Sequence, residues 1–404
     1  MIIVPAETVG GALQPRDALP SDAISVLFDG INYSVLTPAD IAAPSAGIGS
    51  SRQSCFYVGQ AAVSEERFGL HFNKSANFAQ GLLMPHGAAR CHDSGCRWDQ
   101  IEPAANGVYD WALLDSWVAG NAGKDLVYTL IGVPPGYSSD TTGVQNSPFS
   151  FSNVYIPKLC SPPTAGGTAA LSAFVTALCT RYPEIGYIEV WNEPNSDGAN
   201  YQWWWGTAQQ LADLIKTVSV AAKAVRPTVK IVAPTCVGFE VTGNAKSYAV
   251  TVLGLTASGD AAPIHNHVDV VSGHLYTSTQ QPYLAKQTTA ELNAVLAGIG
   301  ASKPVWDTEV GLLQLAKERA PGAVTDDVYV SRYFAHHLLA FGAGVEKVFW
   351  YTVDHSHMGY INRPQVADRI NGLVSELSGR TLNIFYLDGN VVAVDVSSQE
   401  TWFF

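Results

Sequence analysis

The feature that most limits the possible folds is an alternation of eight short apolar runs with longer segments of helical periodicity. The runs have the length and composition of buried strands: Arg67–Phe72, Gly87–Cys91, Asp125–Ile131, Gly186–Trp191, Lys230–Ala233, Val268–Tyr276, Pro304–Thr308 and Lys347–Thr352. The intervening segments repeat small or apolar residues every three or four positions: Trp111–Asn121, Ala169–Arg181, Ala208–Val225, Ala245–Leu255, Thr289–Ile299 and Asp326–Phe341. This alternation predicts an α/β fold, a (β/α)8 TIM barrel, whose functional residues lie at the carboxyl ends of the strands.

The two ends of the chain follow a different pattern. Residues 23–35 have the pattern of two strands around the turn Asp29-Gly30, and residues 382–394 repeat it around Asp388-Gly389. An isolated hairpin is marginal in water, so we expect the two hairpins to share a small accessory β-sheet beside the barrel. The predicted domains are a barrel over residues 66–365 and an accessory unit of residues 1–65 with 366–404.

Charge and hydropathy limit the partners of this chain. It has 23 Lys plus Arg against 35 Asp plus Glu, a formal net charge of −12 at pH 7, which disfavours binding to nucleic acid or to an anionic membrane. No segment has the roughly 18 uninterrupted apolar residues of a membrane helix, so we expect no membrane insertion. Met1–Pro5 lacks the features of a secretory signal, which leaves a cytoplasmic location open, or a secreted or periplasmic one if a signal has been removed.

The six cysteines are even in number but lack paired Cys-x-x-Cys spacing, so we predict no zinc site. Cys91 and Cys96 flank a short segment that contains His92. Free thiols, a local disulfide and, least favoured, a ligand cluster all remain open for this segment. We predict neither a metal nor a cofactor for the chain.

Two glutamates stand at the ends of predicted strands. Glu193 follows an apolar run and precedes Pro194, which ends the strand, while Glu309 closes the run that begins at Pro304. In a barrel both side chains lie at the same mouth. Two carboxyl groups are the minimum equipment for cleaving a glycosidic bond, one protonating the leaving oxygen and the other attacking the sugar or activating water. We therefore predict Glu193 and Glu309 as a catalytic pair.

Motifs spread over residues 66–355 resemble those of a known family. They are Phe68-Gly69-Leu70-His71-Phe72, Arg90, Trp98-x-x-Ile101-Glu102-Pro103, Gly107-x-Tyr109-Asp110-Trp111, Trp191-Asn192-Glu193-Pro194-Asn195, His274-x-Tyr276, Thr308-Glu309 and Phe349-Trp350-Tyr351. In these the chain resembles the clan A retaining glycoside hydrolases and is similar to family 39 and its exopolysaccharide-acting relatives. The resemblance implies Glu193 as general acid/base, Glu309 as nucleophile and Asn192 as a hydrogen-bond donor to the sugar 2-hydroxyl.

Further residues are predicted to bind the carbohydrate substrate. Arg90 and Tyr276, at neighbouring strand ends, can hydrogen-bond Glu309 and keep it ionised. His274 shares a strand face with Tyr276, and we expect it to contact substrate. Aromatic rings pack against the C–H faces of sugars, and Trp350 at the eighth strand end is the strongest platform candidate. The remaining candidates are His71, His92, Tyr137 and Trp204, the last within the run Trp203-Trp204-Trp205.

The predicted function is thus a retaining β-glycoside hydrolase that acts on a polysaccharide or oligosaccharide. Endo action is favoured because the aromatic residues are spread over several loops. The alternatives are an exo-acting β-xylosidase-like enzyme and a catalytically silent glycan-binding barrel. A metal-dependent enzyme using His71, His92 and His274 is disfavoured, because these histidines lie on different strands without a matched set of acids.

Overall fold

A computed structural model describes residues 7–9, 12–14, 25–28, 33–36, 55–140, 159–196, 203–237, 244–276, 283–311, 324–355, 359–387 and 390–404. The strands are β1 (Glu7–Val9), β2 (Ala12–Gln14), β3 (Ser25–Phe28), β4 (Tyr33–Leu36), β5 (Cys55–Ala62), β6 (Phe68–His71), β7 (Ala88–Cys91), β8 (Asp125–Leu130), β9 (Tyr187–Val190), β10 (Lys230–Val232), β11 (Cys236–Val237), β12 (Val271–His274), β13 (Val305–Val310), β14 (Lys347–Trp350), β15 (Thr381–Leu387), β16 (Asn390–Asp395) and β17 (Thr401–Phe403).

The helices alternate with the barrel strands as predicted. They are α1 (Trp98–Ile101), α2 (Ala112–Gly120), α3 (Ala165–Arg181), α4 (Ala208–Val225), α5 (Asn244–Gly254), α6 (Tyr283–Gly298), α7 (Asp326–Gly342) and α8 (Pro364–Leu377), with 3₁₀ helices at Glu65–Arg67, Ser75–Leu83 and Ile264–Asn266. Threonine side chains cap several helix starts by accepting a backbone N–H, as Thr164 does for α3 and Thr325 for α7. Among the described helices, none is long and apolar enough to cross a membrane.

The strands β6 to β14 form a parallel sheet that closes into a barrel. Neighbours along the sheet run β10-β9-β8-β7-β6-β14-β13-β12-β11. Both β10 and β11 belong to the fifth strand position: β10 pairs with β9, β11 pairs with β12, and a parallel bridge joins Val232 to Val270. The ring therefore has eight positions, and the predicted (β/α)8 barrel is confirmed.

Side chains fill the barrel interior in layers, because alternate residues of a strand point to opposite faces. The layer at the amino ends of the strands is apolar and consists of Ala88, Val127, Val232, Val270, Trp306 and Phe349, with Tyr187 packed against it. The next layer is polar and contains Arg90, Thr129, Glu189, Thr235, Ser272 and Thr308, all buried. This polar layer forms the floor beneath the mouth of the barrel.

A small antiparallel sheet lies beside the barrel, in the order β17-β16-β15-β5. It combines an N-terminal strand with the C-terminal hairpin, as the predicted fold requires. The expected partner was wrong, however: β3 and β4 pair only with each other among the described residues, and β5 is the strand that pairs with β15. The two predicted Asp-Gly turns, at 29–30 and 388–389, lie outside the described residues.

The accessory sheet meets the barrel where β5 crosses the end of α7. A β-carbon at Gly59 would lie 1.9 Å from the carbonyl oxygen of Gly342. Only glycine at position 59 allows this close approach of strand to helix.

Candidate active site

The two predicted acids lie together at the mouth of the barrel, bridged by a histidine. Nδ1 of His274 lies 2.7 Å from Oε1 of Glu193, and its Nε2 lies 3.9 Å from Oε2 of Glu309. One carboxylate oxygen from each glutamate and one ring nitrogen of His274 lie within 4.8 Å of one another. The sequence motifs at 192–194, 274–276 and 308–309 thus converge on one site.

Glu193 is presented by an unusual turn at the end of β9. Trp191 and Glu193 have φ angles of 74° and 45°, in the left-handed region that side chains other than glycine rarely adopt. The turn is held by a 2.7 Å hydrogen bond from the N–H of Glu193 to the carbonyl of Thr235. Residues kept in this region cost about 1–3 kcal/mol each and cluster at functional sites.

Glu309 is presented by a bulge in β13. Asp307 pairs with Val348 and Val310 with Trp350, so three steps along β13 match two along β14. The inserted residue breaks the inside–outside alternation. As a result Thr308 and Glu309 both reach interior groups, Thr308 through a 2.7 Å contact with the Thr235 hydroxyl and Glu309 through Arg90.

Arg90 joins the residues of this site from below. Its Nη1 donates to Oε2 of Glu309 at 2.9 Å, its Nε to Oε2 of Glu189 at 2.8 Å, and its Nη2 to Oδ1 of Asn192 at 2.8 Å. Since a guanidinium group can only donate, Asn192 must turn its oxygen toward Arg90. The amide NH₂ of Asn192 is therefore directed away from Arg90, free to donate elsewhere.

Glu189 is a part of the site that the sequence motifs did not reveal. It is fully buried and also accepts hydrogen bonds from Thr129, at 2.7 Å, and from Thr235. Although burial raises the pKa of Glu189, Arg90 and the two hydroxyl groups hold it below its usual value. A charged residue inside the apolar run Tyr187–Trp191, on the same face as Tyr187, was the signal that could have identified it.

Burial dominates the electrostatics of the acids. It raises the pKa of Glu193 to about 7, assisted by the carboxylate of Asp93 and opposed by Arg90 and a hydrogen bond from Trp203. It also raises the pKa of Glu309, while His274 and Arg90 lower it. Burial lowers the pKa of His274, while the carboxylates of Glu309 and Glu189 act to raise it. Tyr276 donates its hydroxyl to Oε1 of Glu309 at 2.9 Å.

A polar wall at the ends of β6, β7 and β14 lies beside the acids. The ring of His71 packs edge-on against Tyr351, at a centroid distance of 4.8 Å, and lies 6.1 Å from His92. The Tyr351 hydroxyl donates to Asp93 at 2.6 Å. Three ring nitrogens here have no hydrogen-bond partner within the part of the chain that the structure describes. They are Nδ1 and Nε2 of His71 and Nδ1 of His92. Buried polar atoms without a partner are uncommon in native proteins, which marks this wall as a candidate part of the site.

For two of the predicted aromatic residues, Trp350 and Trp204, the ring at the mouth of the barrel belongs instead to a neighbour in sequence. Trp350 is fully buried and packs on α7, where its indole donates to Tyr329 at 2.9 Å; Tyr351 is the eighth-strand aromatic at the mouth. Trp204 is likewise buried and stacks edge-on against Trp191, whereas Trp203 reaches Glu193 and His92. An enclosed ring cannot stack on a sugar, so the structure gives Trp350 and Trp204 packing roles.

Tyr137 lies in the loop after β8, where its side chain contacts Glu102 and Trp98. Its hydroxyl donates to Oε1 of Glu102 at 2.9 Å, and its ring stacks on Trp98 at 5.9 Å. Trp98 donates to the other oxygen of Glu102 at 2.8 Å. The structure thus places Tyr137 in an aromatic cluster between two loops.

Five cysteines of the described residues are buried and form no disulfide. Cys91, Cys96, Cys160, Cys179 and Cys236 are buried free thiols. Within the described ranges, the set that could hold a metal ion is Glu193, His274 and Glu309. Arg90 already supplies positive charge to Glu309, which opposes a cation there.

No protein-family model matches the chain, and no curated protein matches its sequence. Solved structures do match. A glucosidase from Croceicoccus marinus is 12% identical, over 85% of this chain and 74% of that chain, with a TM-score of 0.57. A family 39 β-xylosidase from Caulobacter crescentus is 18% identical, over 83% and 79%, with a TM-score of 0.53. A family 10 endoxylanase from a sugarcane soil metagenome is 13% identical, over 78% and 99%, with a TM-score of 0.51. The chain shares the barrel fold of these proteins.

Proposed function

We propose that this protein is a retaining β-glycoside hydrolase that cleaves a polysaccharide or oligosaccharide, with Glu193 as acid/base and Glu309 as nucleophile. The observation that carries the proposal is the spacing of the two carboxyl groups, whose oxygen atoms approach within 4.8 Å. Retaining enzymes hold their carboxyl groups about 5–5.5 Å apart, whereas inverting enzymes separate them by about 6.5–9.5 Å to admit water.

The surroundings of the two acids support this division of roles. Burial holds the pKa of Glu193 at about 7, so this group carries a proton at neutral or mildly acidic pH. Glu309 receives hydrogen bonds from Arg90 and Tyr276, which stabilise its ionised form. These contacts favour the ionised form of Glu309, which a nucleophile requires.

In the first step an oxygen of Glu309 attacks the anomeric carbon as the glycosidic C–O bond breaks. Glu193 gives its proton to the departing oxygen, and a glycosyl ester on Glu309 results. The ester is neutral, so the active site has lost the negative charge of Glu309, and Glu193, having given up its proton, remains as a carboxylate. It is then ready to act as a base.

In the second step Glu193 takes a proton from water while the water oxygen attacks the anomeric carbon. The ester bond breaks, Glu309 leaves as a carboxylate, and both acids return to their starting states. Two displacements at one carbon give net retention. His274, in contact with Glu193, is placed to hold that acid in line through both steps.

The substrate groups follow from the polar atoms around the acids. The NH₂ group of Asn192 is directed away from Arg90 and can donate to the sugar 2-hydroxyl. His71, His92 and Tyr351 supply polar partners for the glycone on the other side. The structural neighbours named as glucosidase, β-xylosidase and endoxylanase support a glycan as substrate.

Endo action is favoured by the loop that follows Glu193. It carries Trp203, which hydrogen-bonds Glu193 and is only partly buried. Aromatic surface near the acid/base lies on the leaving-group side, where further sugar units of a polymer would pack.

The experiment is hydrolysis of a panel of aryl β-glycosides, with the first-formed anomer identified by ¹H NMR. We expect the β-anomer first. An α-anomer would contradict the proposed mechanism, and glycan binding without hydrolysis would indicate a silent barrel instead. Mass spectrometry of polysaccharide digests then separates the modes of action: oligomers of mixed length support endo cleavage, and single sugar units overturn it.

A further inference from the structure

Asp307 is a buried acid on the outer face of the barrel wall. It lies in β13, two residues before Glu309, and is fully buried against α7. Its side chain does not reach the mouth, since Oδ2 lies 3.7 Å from Nε2 of His336, a residue of α7.

The carboxylate of Asp307 holds the neighbouring strand end. Its Oδ1 accepts the N–H of Leu275 at 3.1 Å, while the carbonyl of Leu275 lies 3.1 Å from Nε2 of His336. Both polar groups of one peptide segment are therefore held from outside the barrel. Leu275 stands between His274, which contacts Glu193, and Tyr276, which contacts Glu309.

Asp307 also stands at the start of the bulge in its own strand. Burial raises the pKa of Asp307 to about 7, while the backbone N–H groups of Leu275 and Glu309 lower it. The bulge leaves the backbone near Glu309 without regular strand pairing. The Asp307 side chain thus links this irregular stretch of β13 to the end of β12.

We infer that Asp307 is a positioning residue that fixes the end of β12, with His274 and Tyr276, relative to Glu309 in the bulge of β13. It acts from behind the wall of the barrel and touches neither substrate nor the reacting atoms. The kinetic part of this inference rests on the proposed function; the geometric part does not.

The test compares Asp307→Ala with Asp307→Asn. The alanine variant removes the acceptor for the Leu275 N–H, and we expect kcat to fall about 10–100-fold with a change in KM of less than about threefold. The acidic limb of kcat/KM should move to higher pH, because a displaced Tyr276 stabilises ionised Glu309 less well. Asp307→Asn keeps a side-chain oxygen for Leu275 and should restore kcat to within about threefold of wild type. If the alanine variant does not fold, Asp307→Ser, whose hydroxyl is too short to reach Leu275, replaces it.

The matched control is Asp395→Ala, which removes another buried aspartate, in the accessory sheet. It should lower the melting temperature without moving kcat or the acidic limb. If Asp307→Ala behaves in the same way, Asp307 is only structural and the inference is wrong.

A measurement without substrate separates this inference from the proposed function. The Glu309 carboxyl is titrated by ¹³C NMR in the full-length protein, with Glu309→Gln to assign its signal. A higher pKa of Glu309 in Asp307→Ala supports positioning even if wild type cleaves no glycoside, in which case only the proposed function fails. An unchanged pKa of Glu309 in Asp307→Ala overturns the inference.

Discussion

Arg90 and Glu189 form a completely enclosed ion pair inside the barrel, with Nε of Arg90 2.8 Å from Oε2 of Glu189 and both side chains 0% exposed. The same guanidinium also contacts Glu309. The charge of Arg90 is thus shared between a permanent partner in the floor and the proposed nucleophile.

The first prediction follows from this sharing. Glu189→Gln removes one negative charge near Glu309, and Glu309 becomes the remaining carboxylate partner of Arg90. The pKa of Glu309 should therefore fall. We expect the acidic limb of kcat/KM to move to lower pH and the stability to drop by about 3 kcal/mol, the low end of the cost of breaking a buried ion pair. Urea unfolding and a pH–rate profile measure both. Asp115→Asn, which breaks an exposed pair with Arg181, serves as control and should cost less than about 1 kcal/mol.

The second prediction concerns the nucleophile. Glu309→Gln should keep the fold and bind substrate but lose turnover by roughly three or more orders of magnitude, because the amide is isosteric and cannot attack. Added azide should not restore a product of retained configuration. A variant that keeps more than a tenth of wild-type activity would show that the nucleophile is a different residue.

The third prediction concerns leaving groups. Glu193→Ala should slow cleavage most for substrates whose leaving group needs protonation, whereas an activated aryl leaving group should be largely spared. Paired rates on a nitrophenyl glycoside and on an unactivated oligosaccharide measure the difference. An equal loss on both would remove Glu193 from the acid role.

The fourth prediction is a pH dependence of stability. Glu193 has a pKa of about 7 in the folded protein against an ordinary value of 4.5, so the folded state binds more protons between these values and wild type loses stability as pH rises through them. Glu193→Gln has no such ionisation. Relative to wild type it should gain about 2–3 kcal/mol between pH 4.5 and 7 and no more above pH 7. Urea unfolding of both proteins at pH 4.5 and pH 8 checks this, and an identical difference at the two pH values would exclude the raised pKa.

The fifth prediction concerns the accessory sheet. Gly59→Ala places a methyl group into the backbone of Gly342, and we expect a loss of stability above about 2 kcal/mol from overpacking. Gly372→Ala is the matched control, because it lies within α8 with nothing within 4 Å of the added carbon. It should stabilise by about 0.5–1 kcal/mol. Thermal melts of the two variants decide between these outcomes.

Much of the fold was predictable from local sequence. Each of the eight predicted runs overlaps a barrel strand, and Glu193 and Glu309 meet because parallel strands bring their carboxyl ends to one mouth. In the eighth strand we predicted Trp350 at the mouth, but the aromatic residue there is Tyr351. Neighbouring residues of a strand face opposite sides, so an error of one position reverses the assignment. The phase of the strand depends on which residues fill the barrel interior.

Other parts depend on contacts that local sequence does not encode. Trp203 rather than Trp204 reaches Glu193 because of the shape of a loop, which has no periodic pattern to read. The pairing of β15 with β5 joins residues more than three hundred positions apart. The similar turns of the two predicted hairpins do not indicate which strand pairs with the edge of β15. We propose the division into a barrel over 66–365 and an accessory unit of 1–65 with 366–404 as the unit boundaries to test by truncation.

The polar floor has a consequence for how this protein can change over evolutionary time. Arg90 contacts Glu309 from below, and both Arg90 and the partners behind it, Glu189, Thr129 and Thr235, belong to the barrel wall. Exchange of the loops around the mouth alters what the site recognises but leaves these partners in place. Substrate preference can therefore diverge among descendants, or be transplanted by loop grafting, while the reaction itself is inherited unchanged.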